Sequence, residues 1–247
     1  MPRLDDRIAF VTGAAGGIGS AICRHFLAEG ARVAAADLDS GAVKEVLGDT
    51  AGQSIALSCD VSDENQVRQA IADAVEVFGG LNVLCNTAGG SSVRDGRVTE
   101  VSTDEFWRVI NIDLYGTFLV CRYGIRELIS AGGGSVINLT SMAALMALPE
   151  RDCYTAAKGG VAAMTRSMAS GFGPDSIRVN AIAPGTTMTP RVASRAHTER
   201  ARKLAERHLL GVLDPADIAN MAVFLASEES VHITGQVFAV DSGVTIS

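Results

Sequence analysis

Short runs of apolar, β-branched residues alternate along the chain with longer segments of helical periodicity. Residues 7–12 (RIAFVT) predict a first strand, and the glycine-rich turn after it opens a helix over 17–29 that Gly30 closes. Residues 32–37 (RVAAAD) and 54–59 predict the next two strands, and a helix follows over 64–78. Runs at 81–86, 135–139, 177–181 and 236–240 predict four more, and long helices fall at 103–129 and 154–172. The strand runs are apolar throughout rather than alternating, the pattern of strands covered on both faces by helices. Strand–helix alternation without linker or repeat predicts an α/β architecture. We expect one domain over 1–247 with a doubly wound parallel sheet of about seven strands. Residues 186–210 break the rhythm. They are polar, basic and helix-forming, and they follow the sixth strand, where a substrate lid is expected.

Composition narrows the setting. Of 247 residues 47% are hydrophobic and 20% charged, which excludes a disordered chain. A mean hydropathy of +0.23 raises the membrane question. Two uncharged stretches, 8–23 and 128–149, are the candidates. Asp5, Asp6 and a cluster of glycines spoil the first as a signal peptide; Gly132 to Gly134, Asn138 and Thr140 spoil the second as a lipid-facing helix. The expectation is a cytoplasmic protein with no membrane partner. A net charge of −7 argues against a nucleic-acid partner. The five cysteines form no CxxC pair and the four histidines show no ligand spacing, so buried free thiols and no metal are expected.

The chemistry begins at the first turn. Gly13, Gly16, Gly17, Ile18 and Gly19 lie between a strand and a helix, where glycines let a diphosphate approach the backbone and the helix N-terminus offers free N–H groups. Asp37 ends the second strand, placed to accept both hydroxyls of an adenosine ribose and to repel a 2′-phosphate. Neither Gly16 nor Leu38 is basic, so the pattern predicts NAD rather than NADP. Farther along, Tyr154 and Lys158 stand four apart on one helix face, and Ser141 ends the fifth strand. All three are expected at the carboxyl edge of the sheet. A tyrosine beside a lysine and a positive nicotinamide ring is a plausible base for an alcohol, and Ser141 would orient the substrate oxygen.

Together these residues resemble the short-chain dehydrogenase/reductase family, across essentially the whole chain. The matching pieces are Thr12 to Gly19, Asp60-Val61, Asn86-Thr87-Ala88-Gly89, Ser141, Tyr154-x-x-x-Lys158, Asn180, Pro184-Gly185 and Ile233 to Gln236. The resemblance implies a Rossmann-type sheet and hydride transfer between NAD(H) and a secondary alcohol or ketone. An NADH-dependent carbonyl or 3-oxoacyl reductase is the alternative, and a non-catalytic dinucleotide-binding protein is disfavoured. It also implies adenine contacts at Asp60 and Val61, ribose contacts at Asn86, Ala88, Gly89 and Lys158, and a carboxamide site after Pro184 and Gly185, at Thr187 or Thr189. A homotetramer is implied as well.

Two positions depart from the family pattern. Asp113 stands where an asparagine is usual, a position whose main-chain carbonyl supports a proton path to the lysine; we expect that role to survive the change. Thr87 replaces a second asparagine. Within the basic 191–208 stretch, Arg195, together with Arg151 just before Tyr154, suggests a clamp for a carboxylate or sulfonate on the substrate. A similar arrangement occurs in the branch of the family acting on sulfonate-bearing hydroxyalkyl thioethers. The competing reading of the stretch is a solvated helix face paired with Glu199 and Glu206.

Overall fold

The computed structural model describes residues 2–247. Strand β1 (Ile8–Thr12) is buried along its whole length. It pairs in parallel with β2 (Arg32–Asp37) on one side and β4 (Val83–Asn86) on the other. With β3 (Ser54–Ser58), β5 (Gly134–Leu139), β6 (Ile177–Pro184) and β7 (Val237–Val240), the described residues form one seven-stranded sheet in the order β3-β2-β1-β4-β5-β6-β7. Every pairing is parallel. The order reverses direction between β1 and β4, and such a switch point leaves a crevice beyond the carboxyl ends of the strands.

Helices cover both faces, as the uniformly apolar strands require. On one face α1 (Gly17–Ala28) packs on α9 (Pro215–Ala226), burying Ile22, Phe26, Ile218 and Val223 against the sheet. On the other, α3 (Glu64–Phe78) packs on α5 (Gly116–Ser130), burying Ile71, Phe78, Leu119 and Leu128. The long α6 (Asp152–Phe172) lies along β6.

The structure departs from the sequence pattern at particular elements. The helix expected over 103–129 is α4 (Thr103–Val109) and α5 joined by a π-helical segment, Ile110–Tyr115. A wider turn shifts the face on which following side chains emerge, and such segments recur at functional sites. Helix α2 (Ser40–Leu47) falls where the sequence pattern predicts none, and Asp39 caps it by accepting from the Gly41 and Ala42 amides at 2.9 and 3.1 Å. The expected lid region holds α7 (Pro190–Ala193) and α8 (Glu199–Glu206), and Thr187 bridges to Leu213 at its base.

All five cysteines are free and buried. Burial pushes the Cys23 and Cys121 thiols up to about 12, so they are inert packing groups. Among the described residues no helix is long and apolar enough to cross a membrane, and no cluster of potential metal ligands occurs.

Candidate active site

The turn after β1 is built by close contact. Gly13 has φ +65°, and a Cβ there would lie 2.8 Å from the Ala88 backbone. A Cβ on Gly19 would collide with the Gly13 carbonyl. Thr12 ties this turn to the one after β4, its hydroxyl accepting from the Thr87 and Ala88 amides at 3.2 and 3.3 Å. Thr87, in the place of the usual asparagine, returns the contact by donating its hydroxyl to the Thr12 carbonyl. Helix α1 starts at Gly16 with no side-chain cap and no acid in its first turn. Its N-terminal N–H groups and partial positive charge therefore face the crevice, a fit for a diphosphate.

Asp37 stands at the carboxyl end of β2, beside the glycine turn. One carboxylate oxygen accepts from the Ala15 amide at 3.0 Å and the other from the Leu38 amide at 2.7 Å. These bonds fix its orientation beside the glycine turn and leave lone pairs for ribose hydroxyls. Asp60 accepts from the amide and hydroxyl of Ser62 at 2.9 and 2.6 Å, holding the turn that places buried Val61 at the opposite wall. Asn86 donates to Asn138 at 2.8 Å, and Asn138 to Thr165 at 2.9 Å, a buried chain linking β4, β5 and α6. Gly185 packs against Asp241 and His208, and His208 Nε2 accepts from the Thr186 amide at 2.9 Å. Thr187 is buried, while Thr189 lies against Gly17, where a glycine Cβ would come within 2.6 Å of its methyl.

Ser141, Tyr154 and Lys158 converge at the carboxyl edge. Ser141 follows β5, its hydroxyl accepting from the Ala143 amide at 3.1 Å and acting to lower the Tyr154 phenol. Lys158 is 3% exposed. Its Nζ lies 5.7 Å from the centre of the Tyr154 ring and donates to the Leu139 carbonyl at 3.0 Å. Nζ also lies 3.0 Å from Asp113 Oδ1. An ammonium has three N–H donors, so one remains for a ribose hydroxyl.

Asp113 makes a contact the sequence did not suggest. Its carboxylate meets the lysine directly, and its carbonyl accepts the Thr117 hydroxyl at 3.0 Å. The residue is fully buried, Oδ1 also accepts from the Gly90 amide at 2.9 Å, and Oδ2 has no partner among the described residues. Gly89, at φ +127°, makes room, since a Cβ there would collide with this carboxylate.

Burial raises the Tyr154 phenol above its ordinary value. Lys158, Ser141 and Arg191 pull it down, and Asp113 adds to the rise. Lys158 alone thus leaves the phenol above its ordinary value. Burial pulls Lys158 down, but Asp113 and the phenol outweigh it, and the lysine ends above its ordinary value.

Sequence reasoning missed two residues. Asp95, buried in the loop after β4, accepts from the Cys153 and Tyr154 amides at 3.2 and 3.0 Å and so caps α6 from elsewhere in the chain. No spacing reveals a cap so distant in sequence. Arg191 donates to the Gly89 carbonyl at 2.8 Å, near Tyr154. Its signal was available: it lies four residues before Arg195 in the same basic stretch.

Of the expected clamp, Arg195 donates to the Ser91 carbonyl at 3.3 Å and Arg151 to the Asp95 carbonyl at 3.2 Å. Burial and the positive charges of Arg200 and Arg195 lower Arg151 below its ordinary value. The rest of the basic stretch behaves as a solvated face: Lys203 pairs with Glu199 at 2.7 Å and Arg200 with Glu150 at 2.6 Å.

This geometry matches known proteins. A family model described as enoyl-(acyl carrier protein) reductase matches residues 13–245. The chain belongs to the short-chain dehydrogenase/reductase family. It is 39% identical to an uncharacterized oxidoreductase, YxbG, of Bacillus subtilis, over 99% of this chain and 93% of that protein. It is 36% identical to a D-threitol dehydrogenase of Mycolicibacterium smegmatis, over 99% and 95%. A solved short-chain type dehydrogenase/reductase from Mycobacterium ulcerans superimposes with a TM-score of 0.92 at 29% identity, covering 98% of this chain and 91% of that one. This short-chain dehydrogenase/reductase is therefore an oxidoreductase that transfers hydride between a nicotinamide dinucleotide and a small alcohol or ketone.

Proposed function

We propose that the protein is an NAD-dependent dehydrogenase of a secondary alcohol, with Tyr154 as the proton-transfer residue. The observation that carries this reading is the convergence of Ser141, Tyr154 and Lys158 at one edge of the sheet. The bound dinucleotide would supply the hydride acceptor. The chain's own residues do the rest. The α1 N-terminus and Gly13 to Gly19 receive the diphosphate, Asp37 the adenosine ribose, and Lys158 the second ribose through its remaining N–H. Ser141 donates to or accepts from the substrate oxygen, and Tyr154 takes its proton. Asp37 supports NAD over NADP, because a carboxylate fixed by two backbone amides would meet a 2′-phosphate as like charge.

Arg151, Arg191 and Arg195 rest on main-chain carbonyls rather than carboxylates, and they border the loop 89–96 beside Tyr154. We assign Arg151 and Arg195 to an anionic group on the substrate, with 186–210 as the lid that presents Arg195. The raised phenol gives the reductive direction a specific argument of its own, since a neutral Tyr154 is ready to donate a proton to a carbonyl. Buried free thiols support a cytoplasmic setting.

Absorbance at 340 nm tests the proposal. NAD with a panel of neutral and acidic secondary alcohols, and NADH with the matching ketones, are compared with the NADP forms. Turnover with NAD(H), best for acidic substrates, is expected. Turnover confined to NADP(H) would overturn the cofactor assignment, and a neutral alcohol as best substrate would overturn the arginine clamp.

A further inference from the structure

Asp113 places a full negative charge where the family pattern has a neutral amide. Its position is over-determined: Gly89 leaves space for it, the Gly90 amide donates to it, and the π-helical segment carries it into the crevice wall. Its partner Lys158 lies at the same distance, 3.0 Å, from Asp113 Oδ1 and from the Leu139 carbonyl. Seen from the phenol, a cation and an anion so close together act largely as a dipole, and their opposing fields partly cancel.

We propose that Asp113 is a positioning residue that neutralises Lys158 as a buried ion pair. The Tyr154 phenol then stays protonated until a further positive charge is bound beside it. This rests on the reading of Tyr154 as the proton-transfer residue. The groups facing Tyr154 come from every element packed around it. Lys158 lies on its own helix, Asp113 on the π-helical segment, the Ser141 hydroxyl after β5, and Arg191 on α7. Asp95 meets its backbone amide from the loop after β4. Three of these favour the phenolate side chain, and Asp113 opposes it together with burial. The consequence is a residue whose acidity in the free enzyme is reserved for the loaded one.

Ultraviolet titration of phenolate in the free enzyme tests this without turnover. The chain has three tyrosines, Tyr115, Tyr123 and Tyr154, so subtracting the Tyr154→Phe trace isolates the third. The wild-type midpoint is expected above the ordinary value of about 10. Asp113→Asn keeps an oxygen for the Gly90 amide and Lys158 but removes the charge. It should lower the midpoint by about one pH unit, about tenfold in the acid constant. Asp113→Ser provides the same loss of charge should the amide not pack. A wild-type midpoint below 10, or an unmoved or raised midpoint in the neutral variants, overturns the proposal. Turnover of Tyr154→Phe decides the underlying reading separately. An active Phe variant removes Tyr154 as the proton-transfer residue, whereas an inactive Phe variant together with an unmoved midpoint in Asp113→Asn removes only the role of Asp113.

Discussion

Lys158 and Asp113 form an ion pair out of reach of water. Burying two charges is costly, and removing one partner of such a pair typically costs about 3–5 kcal/mol because the other is left uncompensated. A site that keeps such a pair beside its tyrosine gains control of one proton. Oxidation needs the phenolate, so its rate should rise with pH, whereas reduction draws on the phenol and is favoured at neutral pH. Asp37 carries the other residue-scale decision. Asp37→Ala removes the like charge that opposes a 2′-phosphate together with the acceptor for ribose hydroxyls. Dissociation constants measured by quenching of protein fluorescence should show weaker NAD binding and a smaller preference over NADP. An unchanged ratio would remove Asp37 as the discriminator.

At the scale of elements, α6 delivers two of the three side chains proposed for catalysis, and its start is held by Asp95 rather than by a residue of its own. Arg151, which precedes the helix, makes no side-chain capping bond, so the two amides depend on the Asp95 carboxylate. Losing a cap costs about 1 kcal/mol. Asp95→Ala should lower the melting temperature by roughly 2–4 °C for a chain of this size. An unchanged melting temperature would show that water satisfies those amides equally well. The elements differ in how far the sequence revealed them. Strands β1, β2 and β4 announced themselves because helices cover both faces and keep their interior positions apolar, with Thr12, Arg32, Asp37 and Asn86 only at their ends. Helix α3 was legible to its ends, with Asp63 capping it and Gly79 closing it in the left-handed conformation. Helix α2 was not, because Val43 is its one fully buried side chain and so short an amphipathic stripe leaves little period to read. The π-helical segment was hidden for another reason. Its residues Ile110, Ile112, Leu114 and Tyr115 continue an apolar pattern that fits an ordinary helix equally well, and only the backbone shows the widened turn. The placement of Ser141, Tyr154 and Lys158 at one sheet edge was legible since spacing and strand ends fix it, whereas the direction of the Asp113 side chain depended on that turn.

Across the whole molecule, the high mean hydropathy resolves into a sheet buried on both faces and an uncovered remainder. Trp107 is 59% exposed, and Tyr115 and Phe118 stack on each other at 6.1 Å while remaining partly exposed along α4 and α5. Contiguous exposed aromatics are costly to leave in water and mark interaction surfaces. A homotetramer using these helices accounts for them, and light scattering should give a mass near four times the 25.7 kDa chain. A monomer in dilute buffer would contradict it.

On the proposed reading, the sheet, the crevice and the 186–210 segment all serve the placement of one phenol against one substrate oxygen. The decisive measurement is therefore the turnover number of Tyr154→Phe at saturating NAD and alcohol, with NAD binding measured alongside. Phenylalanine keeps the ring and the packing and removes only the oxygen that takes the proton. The account predicts retained NAD affinity and loss of nearly all turnover. Substantial residual turnover in a folded, NAD-binding variant would contradict it.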